Sequence, residues 1–214
     1  MRTDISDPVS RCKIKNIIFD LGQTIIHFDK EYFFDGLSKV ENNLKIPRLK
    51  RFISENELET LVSKSKITNK EYFLKLKKKF KLKIGYSDFI YIYSDIFWEN
   101  PQMKKFIEAL YGGNKFKLFL MSNTDPAHFN FVMRNFPYVN LIKKKVLSYK
   151  VKMIKPGKQI FKYIIGQYNI KPEETIFIDD LQDNINTASL LGFNTIRYKK
   201  HKAFISRFKS LTAK

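Results

Sequence analysis

The residues of this sequence that could perform chemistry stand at the ends of short apolar segments. Asp20 ends the segment IKNIIFD and is followed by a turn that contains Gly22. A carboxylate at the exposed end of a buried strand can act as a nucleophile toward phosphorus. Ser122 and Asn123 end the segment KLFLMSN, and their side chains could donate hydrogen bonds to a phosphoryl oxygen. These two segments predict a site that binds and attacks a phosphate group.

Two further segments carry charged residues at comparable positions. Lys155 in IKPGKQIF precedes a helical pattern and could neutralise charge on a nucleophile and a phosphoryl group. Asp179 and Asp180 are adjacent at the end of ETIFIDD. Each feature has a simpler explanation when taken alone, because a lysine before proline is common in loops and an aspartate often caps a helix. Their joint order along the chain is stronger evidence for a shared site than any one of them.

The elements that must position these residues are strands alternating with helices. Short runs rich in β-branched and aromatic residues predict buried strands. Helical patterns cover residues 156–169, with Pro156 in the first turn, and residues 181–192, with Gly192 as a C-cap. This alternation predicts an α/β fold with a parallel sheet, whose carboxyl edge is where ligands bind. The predicted strands are residues 14–20, 117–123, 174–180 and 194–198, with a weaker strand or strand-like turn at 145–151.

The stretch from about residue 28 to residue 98 has a different pattern. It contains no convincing strand, is rich in Leu, Phe, Tyr and Lys, and predicts several amphipathic helices. One of these helices begins with Thr68 as a plausible N-cap, because Glu71 follows three residues later. Four aromatic residues of this stretch could contact a substrate or could equally form its core: Phe33, Tyr72, Phe73 and Trp98.

Composition and charge narrow the class of protein. The 214 residues fit one large domain or one domain with an insert, and the single cysteine, Cys12, permits no internal disulfide. Without an apolar run near the roughly 20 residues of a membrane span, and without a signal-peptide pattern, we expect a cytoplasmic protein. The net charge of +19 attracts anions, nucleic acid included, but its lysine runs are scattered and accompany no binding motif. Compositional bias is therefore the favoured explanation.

The segments IIFDLGQTII, LMSNT, IKPGKQIF and FIDDLQDN, in this order, resemble the motifs of the haloacid dehalogenase (HAD) superfamily. The resemblance covers roughly residues 14–198 and is greatest to the glucose-1-phosphate phosphatase-like branch. It implies a Rossmann-like parallel-sheet core with an all-helical cap inserted after the first strand. The implied division is an N-terminal extension (1–13), a core (14–27 and 99–214) and a helical cap (28–98).

The resemblance also implies a Mg²⁺-dependent phosphatase acting on a small phosphorylated metabolite, such as a sugar phosphate. Asp20 would attack the phosphate monoester and form an aspartyl-phosphate, which water would hydrolyse. Mg²⁺ would be bound by Asp20, the backbone carbonyl of Gly22 and Asp180, with Asp179 close by or bound through water. The phosphate group would be bound by three side chains: Ser122, Asn123 and Lys155.

The sequence departs from the superfamily pattern at two positions. Gly22 stands where most of its phosphatases have an aspartate that serves as acid and base, help typically worth about 10²–10⁴ in rate. The DLG form also occurs in the resembling branch, so water, a cap residue, His27, Asp29 or Asp125 could replace it. Alternatively, the leaving group could have a low pKa, as in anomeric or acyl phosphates. Lys152, where a small residue is usual, could crowd the phosphate.

Two other functions compete with the phosphatase. A dehalogenase would use the same nucleophile on carbon, but Asp179 and Asp180 argue against it, since carboxylates near a carboxylate nucleophile need a cation between them. The second alternative is a catalytically weak or inactive HAD-like binding protein, whose basic surface binds an acidic partner or RNA. A pure binding protein has no need of a complete set of site residues, and this chain keeps all four of them: Asp20, Ser122, Lys155 and Asp180.

Overall fold

The computed structural model describes residues 13–213, so most of the predicted N-terminal extension lies outside the described residues. Among residues 13–213, no helix has both the length and the apolar composition needed to cross a membrane. The elements are β1 (Asn16–Phe19), β2 (Ile26–Phe28), α1 (Glu31–Val40), α2 (Ile46–Glu55), α3 (Leu58–Ser63), α4 (Asn69–Phe80), α5 (Tyr86–Ser94), β3 (Phe97–Glu99), α6 (Pro101–Gly113), β4 (Lys117–Ser122), α7 (Pro126–Asn135), β5 (Lys144–Leu147), α8 (Ser148–Val151), α9 (Lys158–Tyr168), β6 (Thr175–Asp179), α10 (Gln182–Leu190), β7 (Asn194–Arg197) and α11 (His201–Thr212), with 3₁₀ turns at Pro137–Leu141 and Pro172–Glu174.

The core of the fold is a five-stranded parallel sheet with the strand order β5-β4-β1-β6-β7. Because side chains alternate along a strand, Ile17 and Phe19 pack in one hydrophobic cluster and Ile18 packs in another. Helices α6, α7 and α11 contribute to the first cluster, and α9 and α10 contribute to the second. Helices on both faces of a parallel sheet confirm the predicted α/β, Rossmann-like fold.

The sheet register places the charged residues at one edge. The central strand β1 pairs in parallel with β4 on one side and β6 on the other, over its whole length. Asp20 follows β1 directly, Ser122 ends β4 and Asp179 ends β6. The carboxyl ends of the three strands therefore bring these residues together, as expected for the ligand-binding edge of an open α/β sheet.

Some predicted element boundaries differ from the structure. The segment 145–151 is strand only as far as Leu147, after which the short helix α8 begins. Pro156 does not lie in the first turn of α9, as predicted, because that helix begins at Lys158 with Gly157 as its N-cap. Gly192 follows the C-cap residue of α10 and has a φ of 87°, which favours glycine. The predicted glycine stop is thus confirmed, one residue past the cap.

Helices α1–α5, called here the cap helices, bury a hydrophobic cluster of their own. The predicted N-cap of α4 is confirmed, since Thr68 and Glu71 form a complete capping box. Of the four aromatic residues singled out in this stretch, three are buried in the cluster and one, Trp98, is 43% exposed. Tyr72 and Phe73 therefore serve as core, whereas Phe33 also lines the cavity described below.

A two-stranded antiparallel sheet of β2 and β3 joins the cap helices to the parallel sheet. The prediction of no strand between residues 28 and 98 was therefore wrong, because Phe28 ends β2 and Phe97 begins β3. Each strand has 3 residues, which is too short for a period of two to be visible in the sequence. The division into core and cap domains itself stays a prediction.

Candidate active site

A buried lysine lies between two carboxylates at the carboxyl edge of the sheet. The Lys155 Nζ atom is 2.5 Å from Asp20 Oδ1 and 2.6 Å from Asp179 Oδ2. The Lys155 side chain is 1% exposed, so these contacts are shielded from water. Residues that are distant in the sequence thus form one compact charged cluster.

The positive charge of Lys155 does not balance the negative charges of Asp20, Asp179 and Asp180. Burial raises the pKa of Asp20 to about 7, against the opposing charge of Lys155. Burial also raises the pKa of Asp180, and the charge of Asp179 adds to that effect. Burial opposes the charge of Lys155, yet the two neighbouring carboxylates raise its pKa. The protein therefore buries carboxylates that lack sufficient positive charge, which favours a bound cation.

The carboxylates fit a divalent cation with a preference for oxygen ligands. Ligand oxygens of Asp20, Asp179 and Asp180 all lie within 4.8 Å of one another. Such an all-oxygen donor set, open to a cavity where water can complete the coordination, is the kind that Mg²⁺ prefers. The Asp179 carboxylate also accepts hydrogen bonds from the Leu181 N–H at 2.9 Å and from Asn184 Nδ2 at 2.9 and 3.0 Å. These bonds fix its orientation.

The residues at the end of β4 contribute to the same cavity in different ways. Ser122 is buried and lines the cavity floor. The amide of Asn123 donates to the Lys155 carbonyl oxygen and accepts from the Lys155 N–H, both at 2.8 Å. Ser148 accepts from the Thr124 N–H and donates to the Thr124 carbonyl oxygen, both at 2.9 Å. The Asn123 side chain is thus engaged in positioning Lys155, a role that its sequence position did not reveal.

Gly22 lies against an aromatic ring. A Cβ atom built on Gly22 would be 2.6 Å from Phe28 Cε1, closer than real Cβ atoms come to a neighbour, and 3.0 Å from Phe28 Cδ1. Both residues line the cavity beside Asp20. The space next to the nucleophile candidate is therefore occupied by a phenyl ring, an arrangement that the sequence did not indicate.

Two of the three suggested substitutes for an aspartate at position 22 stand away from the cavity. His27 and Asp29 are not among the described residues that line the cavity. His27 contacts Gln23 and stacks near Trp98, and Asp29 accepts a hydrogen bond from the Glu31 N–H at 2.9 Å. Both interactions are local and structural, so neither residue is placed to serve the site.

Lys152 is exposed and also stands outside the cavity lining. Its φ of 58° at the end of α8 is a left-handed conformation. This conformation favours glycine, which accounts for a small residue being usual at this position. The side chain therefore does not crowd the residues around Asp20.

Asp125, the third suggested substitute, lines the cavity but is fully engaged. It caps α7, accepting from the Ala127 and His128 N–H groups, and it also accepts from Asn69 Nδ2 at 2.9 Å. Its other oxygen accepts from the Tyr93 hydroxyl at 3.0 Å and contacts His128 Nδ1 at 2.7 Å. Burial alone would raise its pKa, but the charge of His128 and these hydrogen bonds lower it to about 2. It is held as a carboxylate.

This network joins α4 and α5 of the cap helices to α7. Burial opposes the charge of the His128 ring, yet the attraction of Asp125 raises its pKa. The second ring nitrogen of His128 lies 2.9 Å from the Tyr93 carbonyl oxygen, so both nitrogens of the charged ring donate. The Asp125–His128 pair is therefore a satisfied structural unit in the cavity wall.

The cavity has a volume of about 370 Å³ and two kinds of wall. The floor carries the charged cluster, and the opposite wall is formed by residues of the cap helices and β2. Its rim includes Lys30 and Glu59, which form an exposed ion pair at 2.5 Å, and two hydroxyl side chains, Thr60 and Ser63. A cavity of this volume suits a small metabolite.

Comparison with known proteins identifies the family of this chain. A model of the haloacid dehalogenase-like hydrolases matches residues 14–192. A D-ribitol-5-phosphate phosphatase of Bacteroides thetaiotaomicron is 26% identical over 191 residues, which are 86% of this chain and 91% of that protein.

Solved structures agree. A HAD family enzyme of Bacteroides thetaiotaomicron superposes with a TM-score of 0.80 at 26% identity, covering 88% of this chain and 95% of that one. Its wild-type complex with magnesium and inorganic phosphate superposes with a TM-score of 0.73 at 26% identity, covering 87% and 94% of the two chains. A HAD-like family hydrolase from Porphyromonas gingivalis shares the fold, with a TM-score of 0.81 at 24% identity over 95% and 100% of the two chains. The chain thus belongs to the haloacid dehalogenase-like hydrolase family.

Proposed function

We propose that this protein is a Mg²⁺-dependent phosphatase that hydrolyses a small phosphorylated metabolite through an aspartyl-phosphate. The observation that carries the proposal is the convergence of Asp20, Lys155 and Asp180 on one cavity, with the fully buried Asp179 paired to Lys155. Nucleophile, positive charge and a set of cation ligands in one place are the requirements of phosphoryl transfer. The magnesium-containing structure of a family member supports the choice of cation.

In the proposed reaction, a carboxylate oxygen of Asp20 forms a bond to phosphorus while the ester bond between phosphorus and the leaving oxygen breaks. Lys155 orients that carboxylate, and Ser122 and Asn123 at the end of β4 would bind the phosphoryl oxygens, Asn123 through its backbone. Asp20, Asp180, Asp179 and the carbonyl of Gly22 would hold Mg²⁺, which would offset charge on the phosphoryl group. Water then attacks phosphorus, the bond to Asp20 breaks, and phosphate leaves.

The substrate class is proposed from the cavity and from the relatives. A volume of about 370 Å³ accommodates a phosphate with a small organic group. Hydroxyl and charged side chains at the rim suit the hydroxyl groups of a sugar or polyol, and one relative is a D-ribitol-5-phosphate phosphatase. We therefore place the substrate among phosphorylated sugars or polyols.

The proposal is tested by phosphate release from a panel of phosphate esters, with and without Mg²⁺. We expect release that requires the metal and is reduced at least about 10³-fold by Asp20→Asn, since the variant lacks the nucleophile. Asp183→Asn is the matched control, because Asp183 is exposed on α10 and does not line the cavity. Equal release by wild type and Asp20→Asn would refute the proposal.

The alternative of a weak or inactive binding protein is favoured by one observation, the net charge of +19. It predicts an absence of Mg²⁺-dependent turnover together with RNA binding that weakens steeply as salt rises. Titrating labelled RNA at two salt concentrations, beside the phosphate-release panel, separates the two functions.

A further inference from the structure

Within residues 13–213, the wall of the cavity offers no free proton donor for a leaving group. Asp125 accepts hydrogen bonds from several donors and has no proton to give. Both nitrogens of His128 are directed at protein acceptors, Asp125 and the Tyr93 carbonyl oxygen. The Tyr93 hydroxyl donates to Asp125. Each of these acid–base groups among the described lining residues is therefore committed to the protein itself.

The remaining charged residues of the described lining are Asp20, Asp180, Lys155, Lys30 and Glu59. Asp20 and Asp180 serve the proposed reaction as nucleophile and cation ligand. Lys155 donates to Asp20 and Asp179, the residues that the proposed reaction uses as nucleophile and cation ligand. At the rim, Lys30 and Glu59 are paired with each other, with side chains 51% and 40% exposed. An exposed ion pair at the rim is a poor source of a positioned proton, because two long side chains that are open to solvent are weakly fixed in place.

Position 22, beside Asp20, has no room for an acidic side chain. Gly22 offers no side chain, and the Phe28 ring stands 2.6 Å from where its Cβ would be. The φ of Gly22 is outside the left-handed region, so the backbone itself would accept a side chain. The obstacle is the phenyl ring alone, which also packs against the hydrophobic cluster of the cap helices.

We propose that this enzyme selects phosphates whose leaving oxygen departs as an anion, namely acyl, enol, aryl and anomeric phosphates, and that Phe28 is a specificity-determining residue. The inference rests on the proposed function: among the phosphorylated sugars and polyols proposed above, it retains anomeric phosphates and excludes primary alkyl phosphates such as ribitol 5-phosphate. As the Asp20 oxygen bonds to phosphorus, the electron pair of the breaking bond stays on the leaving oxygen. That oxygen takes its proton from solvent after departure. Only a weakly basic leaving group completes this step quickly without an acid.

A leaving-group series on the wild-type protein tests the inference. The measured quantity is kcat/KM with Mg²⁺ for acetyl phosphate, p-nitrophenyl phosphate, glucose 1-phosphate, glucose 6-phosphate and ribitol 5-phosphate. We expect the first two to exceed the last two at least about 10²-fold, the usual contribution of a missing general acid. Glucose 1-phosphate should lie above glucose 6-phosphate. Equal values across the series would overturn this inference and leave the phosphatase standing, whereas release from none of the five would overturn both.

A pair of variants tests the role of Phe28. Gly22→Asp alone should give no gain in glucose 6-phosphate turnover relative to acetyl phosphate, because the Phe28 ring stands where the new side chain would begin. Gly22→Asp combined with Phe28→Ala should raise glucose 6-phosphate turnover relative to acetyl phosphate at least about tenfold, as an acid becomes available. Phe28→Ala alone is the matched control. An equal gain from Gly22→Asp alone would overturn the assignment to Phe28, and a loss of only the alkyl phosphates in Glu59→Gln would identify an acid and overturn the inference.

Discussion

Two buried carboxylates stand at neighbouring strand ends of this molecule in opposite electrostatic states. Asp20 follows β1, and burial beside two further carboxylates raises its pKa to about 7. Asp125 follows β4, and a charged histidine with several hydrogen-bond donors lowers its pKa to about 2. Asp20 therefore lies in a cluster with too little positive charge to balance its carboxylates. The charge of Asp125, at the same edge of the sheet, is fully balanced. The deficient cluster is suited to binding a cation and reacting, and the satisfied one to holding helices together.

The comparison predicts that the deficient cluster depends on its single lysine. Lys155→Met should lower the free energy of unfolding by about 3–5 kcal/mol in metal-free protein, because it leaves buried carboxylates without their counter-charge. Mg²⁺ should restore part of that loss by replacing the missing positive charge. Urea unfolding with EDTA and with excess Mg²⁺ measures both effects, with the exposed Lys158→Met as control. A loss that Mg²⁺ leaves unchanged would contradict a cation site here.

The satisfied cluster should respond to substitution but not to metal. Asp125→Asn keeps the side-chain volume but removes the charge that pairs with His128, so we expect a loss of about 1.5–3 kcal/mol in the free energy of unfolding. The loss should be the same with EDTA and with Mg²⁺. If Mg²⁺ rescued Asp125→Asn as it does Lys155→Met, the two clusters would not be electrostatically distinct.

The smallest predicted effect is a pH dependence of the Asp125–His128 pair. Because the folded pKa of His128 is raised above its ordinary 6.5, its contribution is complete below pH 6.5 and is lost as the pH rises through the folded value. Because the folded pKa of Asp125 is about 2, its contribution is complete above its ordinary 3.8 and is lost as the pH falls through 2. The stability difference between wild type and Asp125→Asn should therefore be largest from about pH 4 to 6.5. A difference that is flat from pH 4 to 9 would show that the pair is not charged.

The parallel sheet and its charged edge could be predicted because both depend on contiguous sequence. Runs such as NIIF and TIFID are buried on both faces, and their apolar character is visible without any partner. Parallel strands end at a common edge, so Asp20 and Asp179 had to come close once the strands were recognised. The approach of Lys155 to both carboxylates was expected only from the order of motifs.

Other features depend on contacts that no local pattern records. The Asp125 network draws Asn69 and Tyr93 from helices 56 and 32 residues away. The contact of Phe28 with Gly22 requires the turn between β1 and β2, which includes Gln23 at a φ of 53°. The sequence shows that position 22 carries no side chain. The Phe28 ring that occupies the space beside it is visible only in the structure.

The antiparallel pair β2–β3 carries an intrinsic fluorescent reporter, Trp98, where the cap helices join the parallel sheet. Trp98 is the only tryptophan of the sequence, and it lies on β3 opposite His27, with ring centroids 5.8 Å apart. At 43% exposure, the indole belongs to none of the three hydrophobic clusters described above. Its fluorescence emission will therefore report on the two-stranded sheet that connects the cap helices to the parallel sheet. Movement of that junction during turnover can be recorded in solution without an added label.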